Sequence, residues 1–239
     1  LVFITKQDIL TPEDLVGKKI MAAQDELVHS SLGALLKKFN IGIDKLDLIP
    51  HSYSAREFIN GSVDVMTAFI SNEVYDVKKA KIPYNIIDPV NYGMYGLGLN
   101  LFTTLDKTKQ NRQQVKDFMI ATNKGWKYAL ENKKQIVDLI YEKYSQIKSR
   151  DSLMFEAVET QKLMMPKTYP IGSIDKNILE NTINNLIAQN IIHKNLKVED
   201  LLLYKDKKQS NMIFTQKQKE YLENKKEITM CIDPDWMPY

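Results

Sequence analysis

The sequence predicts an α/β fold in which a parallel-rich sheet is covered by helices. Three observations predict it. Short apolar strands and helical segments alternate from residue 18 to residue 89 with only short loops between them, the pattern of parallel strands joined by helical crossovers. After residue 104 the apolar residues recur at helical spacing. The 239 residues, 44% hydrophobic and 26% charged, suffice for one large globular domain or two lobes around a cleft.

Taken in order, "LVFITKQ" (1–7) is a strand. In "TPEDLVG", Thr11 is placed as N-cap, Pro12 at the first helical position and Asp14 at N3, and Gly17 ends the short helix. Strand 18–23 follows, then an amphipathic helix over 26–40 with Leu27, Leu32, Leu35, Leu36 and Phe39 inward. Strand 44–50, helix 55–61 closed by Gly61, strand 63–69, helix 72–80 and strand 84–89 complete the alternation. The Gly-rich run 93–104 leads into another strand. Val115, Phe118, Met119, Thr122, Trp126, Ala129 and Leu130 then mark one face of a helix, continued by Ile136, Val137, Leu139 and Ile140. Two further helices are expected at 151–164 and 175–190. From residue 205 the chain turns rich in Lys, Gln, Glu and Asn, which reads as a linker holding one helix with Thr215 as N-cap. "ITMCIDPDWMPY" then opens a new strand.

Composition removes several function classes. With 33 basic and 30 acidic residues, the net charge of +3 gives no footprint for nucleic acid. The Lys run at Lys205–Lys208 is broken by Asp206 and reads as a solvated connector. No apolar stretch reaches membrane-spanning length. Cys231 is the single cysteine, so no intrachain disulfide and no Cys-based zinc site can form. His29, His51 and His193 lack metal-ligand spacing, so no metal is expected. GxSxG, HExxH, P-loop and GxGxxG patterns are all missing, which disfavours a hydrolase or transferase.

Ligands of open parallel sheets bind beyond the carboxyl ends of the strands. Four such ends occur here: "AAQDE" (22–26), "PHSYS" (50–54), "FISNE" (69–73) and "DPVNYG" (88–93). They offer Gln24, Asp25, Glu26, His51, Ser52, Tyr53, Asn72, Glu73, Asn91 and Tyr92. Aromatic faces beside acids and amides suit a small, flat, polar ligand. Each residue taken alone has an ordinary explanation: loops meet water, and acids favour the positive end of the following helix. The case for a site rests on all four loops sharing one edge.

"LTPEDLVGKKIMAAQ", the run from "FNIGIDKLDLIP" to "GLGLNLFTT", and "VKDFMIATNKGWKYALENKKQIVDLI" stand in an order that resembles the NMT1/THI5-like family of periplasmic solute-binding proteins for thiamine pyrimidine precursors. The likeness spans residues 1–195. It implies a type II periplasmic binding protein fold, with two hinged α/β lobes closing on a ligand. On that basis 18–94 forms lobe two, and 1–17 with 95–204 forms a lobe one that lacks its N-terminal part. A chain that starts on an apolar strand agrees with a piece cut from something longer. The resemblance makes Phe69 and Glu73, four residues apart, ligand contacts. Phe69 stands where family members often carry Trp or Tyr, so it stacks on a pyrimidine without offering a hydrogen bond. Asn72 and Glu73 would then bond ring nitrogens or an amino group, with Asp25, Ser52, Tyr53 and Tyr92 lining the wall. No cofactor and no catalytic residue are expected. The related pyrimidine synthase carries a Cys-rich iron motif and a pyridoxal-phosphate site, and one cysteine at position 231 fits it poorly.

Residues 214–239 are similar to the entry into a family 3 solute-binding domain. Tandem solute-binding domains of that kind precede a membrane helix and a kinase or cyclase in bacterial sensors. The leading expectation is therefore an extracytoplasmic, periplasmic ligand-binding module of a sensor, with 205–239 as linker and first strand of a truncated second domain. Its partners would be a small heterocycle and downstream membrane-anchored signalling domains. The alternative is the substrate-binding protein of an ABC importer for a thiamine precursor, and an enzyme of pyrimidine synthesis comes third. A truncated lobe one would leave a sheet edge that a second copy could pair with.

Overall fold

A computed structural model describes residues 1–96, 98, 100–192, 196–203 and 216–224. Its centre is one five-stranded sheet built from β1 (Val2–Thr5), β2 (Lys19–Ala22), β3 (Asp47–Pro50), β4 (Val65–Ala68) and β5 (Asn85–Ile87), in the order β3-β2-β4-β1-β5. β2 runs parallel to β3 and β4, while β1 runs antiparallel to both β4 and β5. Four strands thus share a direction and the first strand opposes them from the middle of the sheet.

That pairing places β1 in one sheet with strands from residues 18–94. β1 is seated between β4 and β5, with Val2 opposite Ala68 and Phe3 opposite Ile87. All four of its residues are buried, as a strand covered on both faces must be. Pairing between strands so distant in sequence leaves no local trace, so alternation shows that a strand exists but not where it docks.

Side-chain alternation along each strand feeds two cores. Phe3, Ile20, Ala22, Val65 and Ile87 pack with Leu27, Leu32, Leu35 and Leu36 on one face. Val2, Ile4, Met21, Met66 and Ala68 pack with Phe58, Val74 and Val77 on the other. The helices responsible are α1 (Gln24–His29) and α2 (Ser31–Lys38) on the first face, with α3 (Arg56–Ile59) and α4 (Val74–Lys79) on the second.

The expected single helix over 26–40 is two. Ser30, extended at φ −116° and ψ −179°, interrupts it and accepts the Leu32 N–H at 3.0 Å to restart α2. Gly33 makes the tight corner feasible, because a Cβ there would lie 2.4 Å from the Leu27 carbonyl oxygen. The segment after Thr11 is a 3-10 turn, Pro12–Leu15, and Asp14 accepts the Leu10 and Thr11 N–H groups at 2.9 Å.

Beyond residue 93 no strand forms among the described residues. Thr104 instead caps α5 (Leu105–Gln110) by accepting the Lys107 N–H at 3.3 Å, and Phe102 is 91% exposed. α6 (Arg112–Glu131) and α7 (Lys133–Lys143) bury only Leu130 and Val137, and Phe118, expected inward, is exposed. α8 (Arg150–Met164) touches the sheet unit through Phe155, whose ring lies 5.6 Å from that of Tyr75. α9 (Lys176–Ala188) packs on α2, where Lys37 donates to the Ala188 carbonyl. α10 (Val198–Leu201) and α11 (Gln216–Asn224) follow. His193, Thr215, Cys231 and the strand expected after residue 227 lie outside the described residues.

Candidate functional site

Two of the four predicted loops, 22–26 and 50–54, are hydrogen-bonded to the end of β4, from which the 69–73 loop continues. The link starts at Thr67, a fully buried polar residue of β4. Its side chain faces the α1 side, where its hydroxyl donates to Glu26 Oε2 at 2.5 Å. The same oxygen accepts the Ala23 N–H at 3.2 Å, so Glu26 ties the first turn of α1 to the loop before it. The Thr67 carbonyl lies 2.8 Å from His51 Nε2. The sheet order puts β2 between β3 and β4, so His51, just after β3, reaches past the end of β2 to bond β4.

His51 Nδ1 accepts the Tyr53 N–H at 2.8 Å. With Nδ1 an acceptor, Nε2 carries the proton and donates it to the Thr67 carbonyl. Tyr53 is left-handed at φ +57°, an uncommon backbone for a bulky residue. Its ring stacks on the His51 ring at 5.0 Å with an interplanar angle of 28°, yet the residue is 76% exposed.

The 69–73 loop is held from within. Glu73 Oε2 accepts the Phe69 N–H at 2.8 Å, and Glu73 Oε1 accepts from Asn72 Nδ2 at 2.8 Å. Glu73 precedes α4 and braces the turn that presents Phe69, itself 53% exposed. Ser52 donates to Glu57 Oε2 at 2.9 Å, and that bond first of all holds the Glu57 carboxyl below its usual range. Asp25 is exposed on the first turn of α1.

Glu26 and Glu73 place carboxylates at this edge, each already accepting hydrogen bonds from the protein.

Tyr92 is not brought to this edge. Its ring packs edge-on against Phe39 at 5.4 Å, beyond the end of α2, and burial raises its pKa. α2 runs back along the sheet between β2 and β3, so its end lies toward the amino ends of the strands. The sequence set contained His51 and Glu26 without choosing them as contacts, and Thr67 was not in it. A threonine inside the apolar run "VMTAF" is the signal that could have found it, since a buried hydroxyl needs a partner. Among the described residues no group of His, Cys, Asp or Glu is placed to hold a metal ion, and no helix is long and apolar enough to cross a membrane. A solvent-open hollow of about 610 Å³ lies at the α6–α7 junction, lined by Glu131, Lys133, Asp138 and Glu142. It is remote from the sheet edge and brings none of the predicted residues together.

The family described as NMT1/THI5 like matches residues 1–136, more than half of the chain. The chain belongs to the NMT1/THI5-like family. No curated protein sequence matches it. Among solved structures it is similar to the putative periplasmic sulfonate-binding protein SsuA from Methylobacillus flagellatus KT, at 14% identity and TM-score 0.54. That match covers 84% of this chain and 62% of the other, so the chain spans less than two thirds of that relative's length. It is also similar to the alkanesulfonate-binding protein SsuA from Xanthomonas axonopodis pv. citri bound to MOPS, at 13% identity and TM-score 0.54, over 84% and 68% of the two chains. At such identities the likeness shows the fold. The first neighbour is named as a periplasmic sulfonate-binding protein and the second as an alkanesulfonate-binding protein, and the α/β sheet flanked by helices is the fold this chain shares with them.

Proposed function

We propose that this chain is an extracytoplasmic small-molecule-binding module that takes a small, flat, nitrogen-bearing heterocycle at the carboxyl edge of its sheet. The observation that carries the reading is the bonded edge itself: Tyr53 and Phe69 are exposed aromatics on braced loops, with the Glu26 and Glu73 carboxylates at the same edge. Aromatic faces favour a planar ring, and carboxylates favour a ligand that donates hydrogen bonds or carries positive charge. An anionic sulfonate, the ligand class in the neighbours' names, would meet the Glu26 and Glu73 carboxylates here. In this reading helices α5–α8 belong to a second lobe that closes over the edge, and closure is favoured by ligand contacts to both lobes.

Two outputs are open to such a module. The likeness of residues 214–239 to the start of another solute-binding domain favours a sensor with membrane-anchored signalling domains. The names of the structural neighbours favour the receptor of an ABC importer. The coding sequence after residue 239 separates them: a membrane helix followed by a kinase or cyclase domain means sensor. Calorimetry on the full-length protein with 4-aminopyrimidine and with MOPS tests the ligand class. Binding of the first and not the second is expected, weakened by Phe69→Ala. Tighter binding of MOPS, or no response to aminopyrimidines, would refute it.

A further inference from the structure

We infer that His51 is a positioning residue of this site: through its Nε2–H tautomer it fixes the Tyr53 ring as a stacking platform for the ligand. The inference rests on the function proposed above and adds a residue that the contact set lacked. Three observations converge. Tyr53 is held at φ +57°, where an aromatic residue is strained unless its surroundings impose the conformation. The imposing contact is the Tyr53 N–H bond to His51 Nδ1, at 2.8 Å. His51 is in turn anchored through Nε2 to the carbonyl of buried Thr67, at 2.8 Å. The rings stack, so one face of Tyr53 rests on the imidazole while the residue stays 76% exposed. A stacking surface fixed before the ligand arrives loses less conformational freedom on binding than a mobile one.

The arrangement explains why a strained tyrosine stands where a Gly or Asn would be easier. It also makes the imidazole hard to replace. An alanine loses both bonds, and a glutamine, whose donor and acceptor share one amide, cannot span from the Thr67 carbonyl to the Tyr53 N–H.

A double-mutant cycle on the full-length protein tests this, with calorimetry of 4-aminopyrimidine binding and 4-aminopiperidine as the non-planar control. His51→Ala and Tyr53→Gly should each weaken the planar probe about tenfold, the scale of a lost stacking contact or hydrogen bond. Tyr53→Phe keeps the ring and should restore most of the affinity that Tyr53→Gly loses. The double variant His51→Ala/Tyr53→Gly should bind no worse than Tyr53→Gly, because His51 acts only through the ring. Undiminished affinity in folded His51→Ala, or additive losses in the double variant, overturns the inference and leaves the proposed function standing. Failure of the unsubstituted protein to bind any planar probe overturns the function and this inference with it. A long-range nitrogen–proton NMR correlation on the ligand-free protein is an independent arm: His51 should show a bare Nδ1, and a proton on Nδ1 refutes the positioning role.

Discussion

At the scale of single residues, Glu73 shows how a side chain can serve a site without pointing at the ligand. Both its oxygens are engaged inside its own loop, with the Phe69 N–H and the Asn72 amide. Glu73→Ala should therefore lower stability by about 1 kcal/mol, since hydrogen bonds of this kind contribute on that order. It should also weaken aminopyrimidine binding by releasing Phe69. Thermal unfolding and calorimetry measure the two effects separately. Unaltered binding in a folded variant would remove Glu73 from the site.

Asp64 carries a pH dependence. Its carboxylate accepts from Lys6 Nζ at 2.5 Å and from the Lys19 N–H at 3.1 Å, tying β1 and β2 to the entry of β4. The Lys6 bond, foremost, holds its pKa below the ordinary 3.8, against a smaller opposing effect of burial. A folded pKa below the unfolded one contributes stability at pH above the unfolded value and loses it as pH falls through the folded value. Unfolding temperature should thus drop in that acid window, and Asp64→Asn should flatten the drop while lowering stability at neutral pH.

Among elements, sequence legibility depended on whether the deciding forces were local. β2 to β5 were legible because β-branched and apolar runs between short loops say strand whatever their partners. The Ser30 break was less so: Leu27, Leu32, Leu35 and Leu36 continue a helical stripe across it. What breaks the helix is a serine able to cap α2 and a glycine that lets the two helices close up. Gly33→Ala should cost about 1–3 kcal/mol, the range for forcing atoms into a packed core, because the Leu27 carbonyl and Gln189 stand in the way. A denaturant titration would reveal a smaller loss if α1 can shift. Of the chosen contacts, Phe69, Asn72, Glu73, Ser52 and Tyr53 do stand on the bonded loops. Tyr92 left that set because an aromatic after a strand can equally turn back to the core, and only packing decides it.

Over the whole molecule, the two faces of the sheet are well covered while α5–α8 and the segment before them keep apolar side chains in solvent, Phe102, Leu105 and Phe118 among them. Where such side chains lie together they mark an interface. A fragment ending at residue 203 should self-associate with rising concentration, and Phe118→Glu should reduce the association. Sedimentation velocity reads this directly, and a fragment that stays monomeric at all concentrations would mean these side chains need no cover.

The central seat of β1 also bears on how the protein is made. Thr5 pairs with Val65, sixty residues later. On the ribosome the first strand emerges early and must wait for β4 and β5 before either of its ladders can close. Through that interval "VFIT" is an unpaired, largely apolar strand, open to wrong partners. The last strand to arrive locks the first. Synthesis that stalls before residue 85 should leave a nascent chain that depends on chaperones, whereas one released after residue 87 has every strand of the sheet in hand.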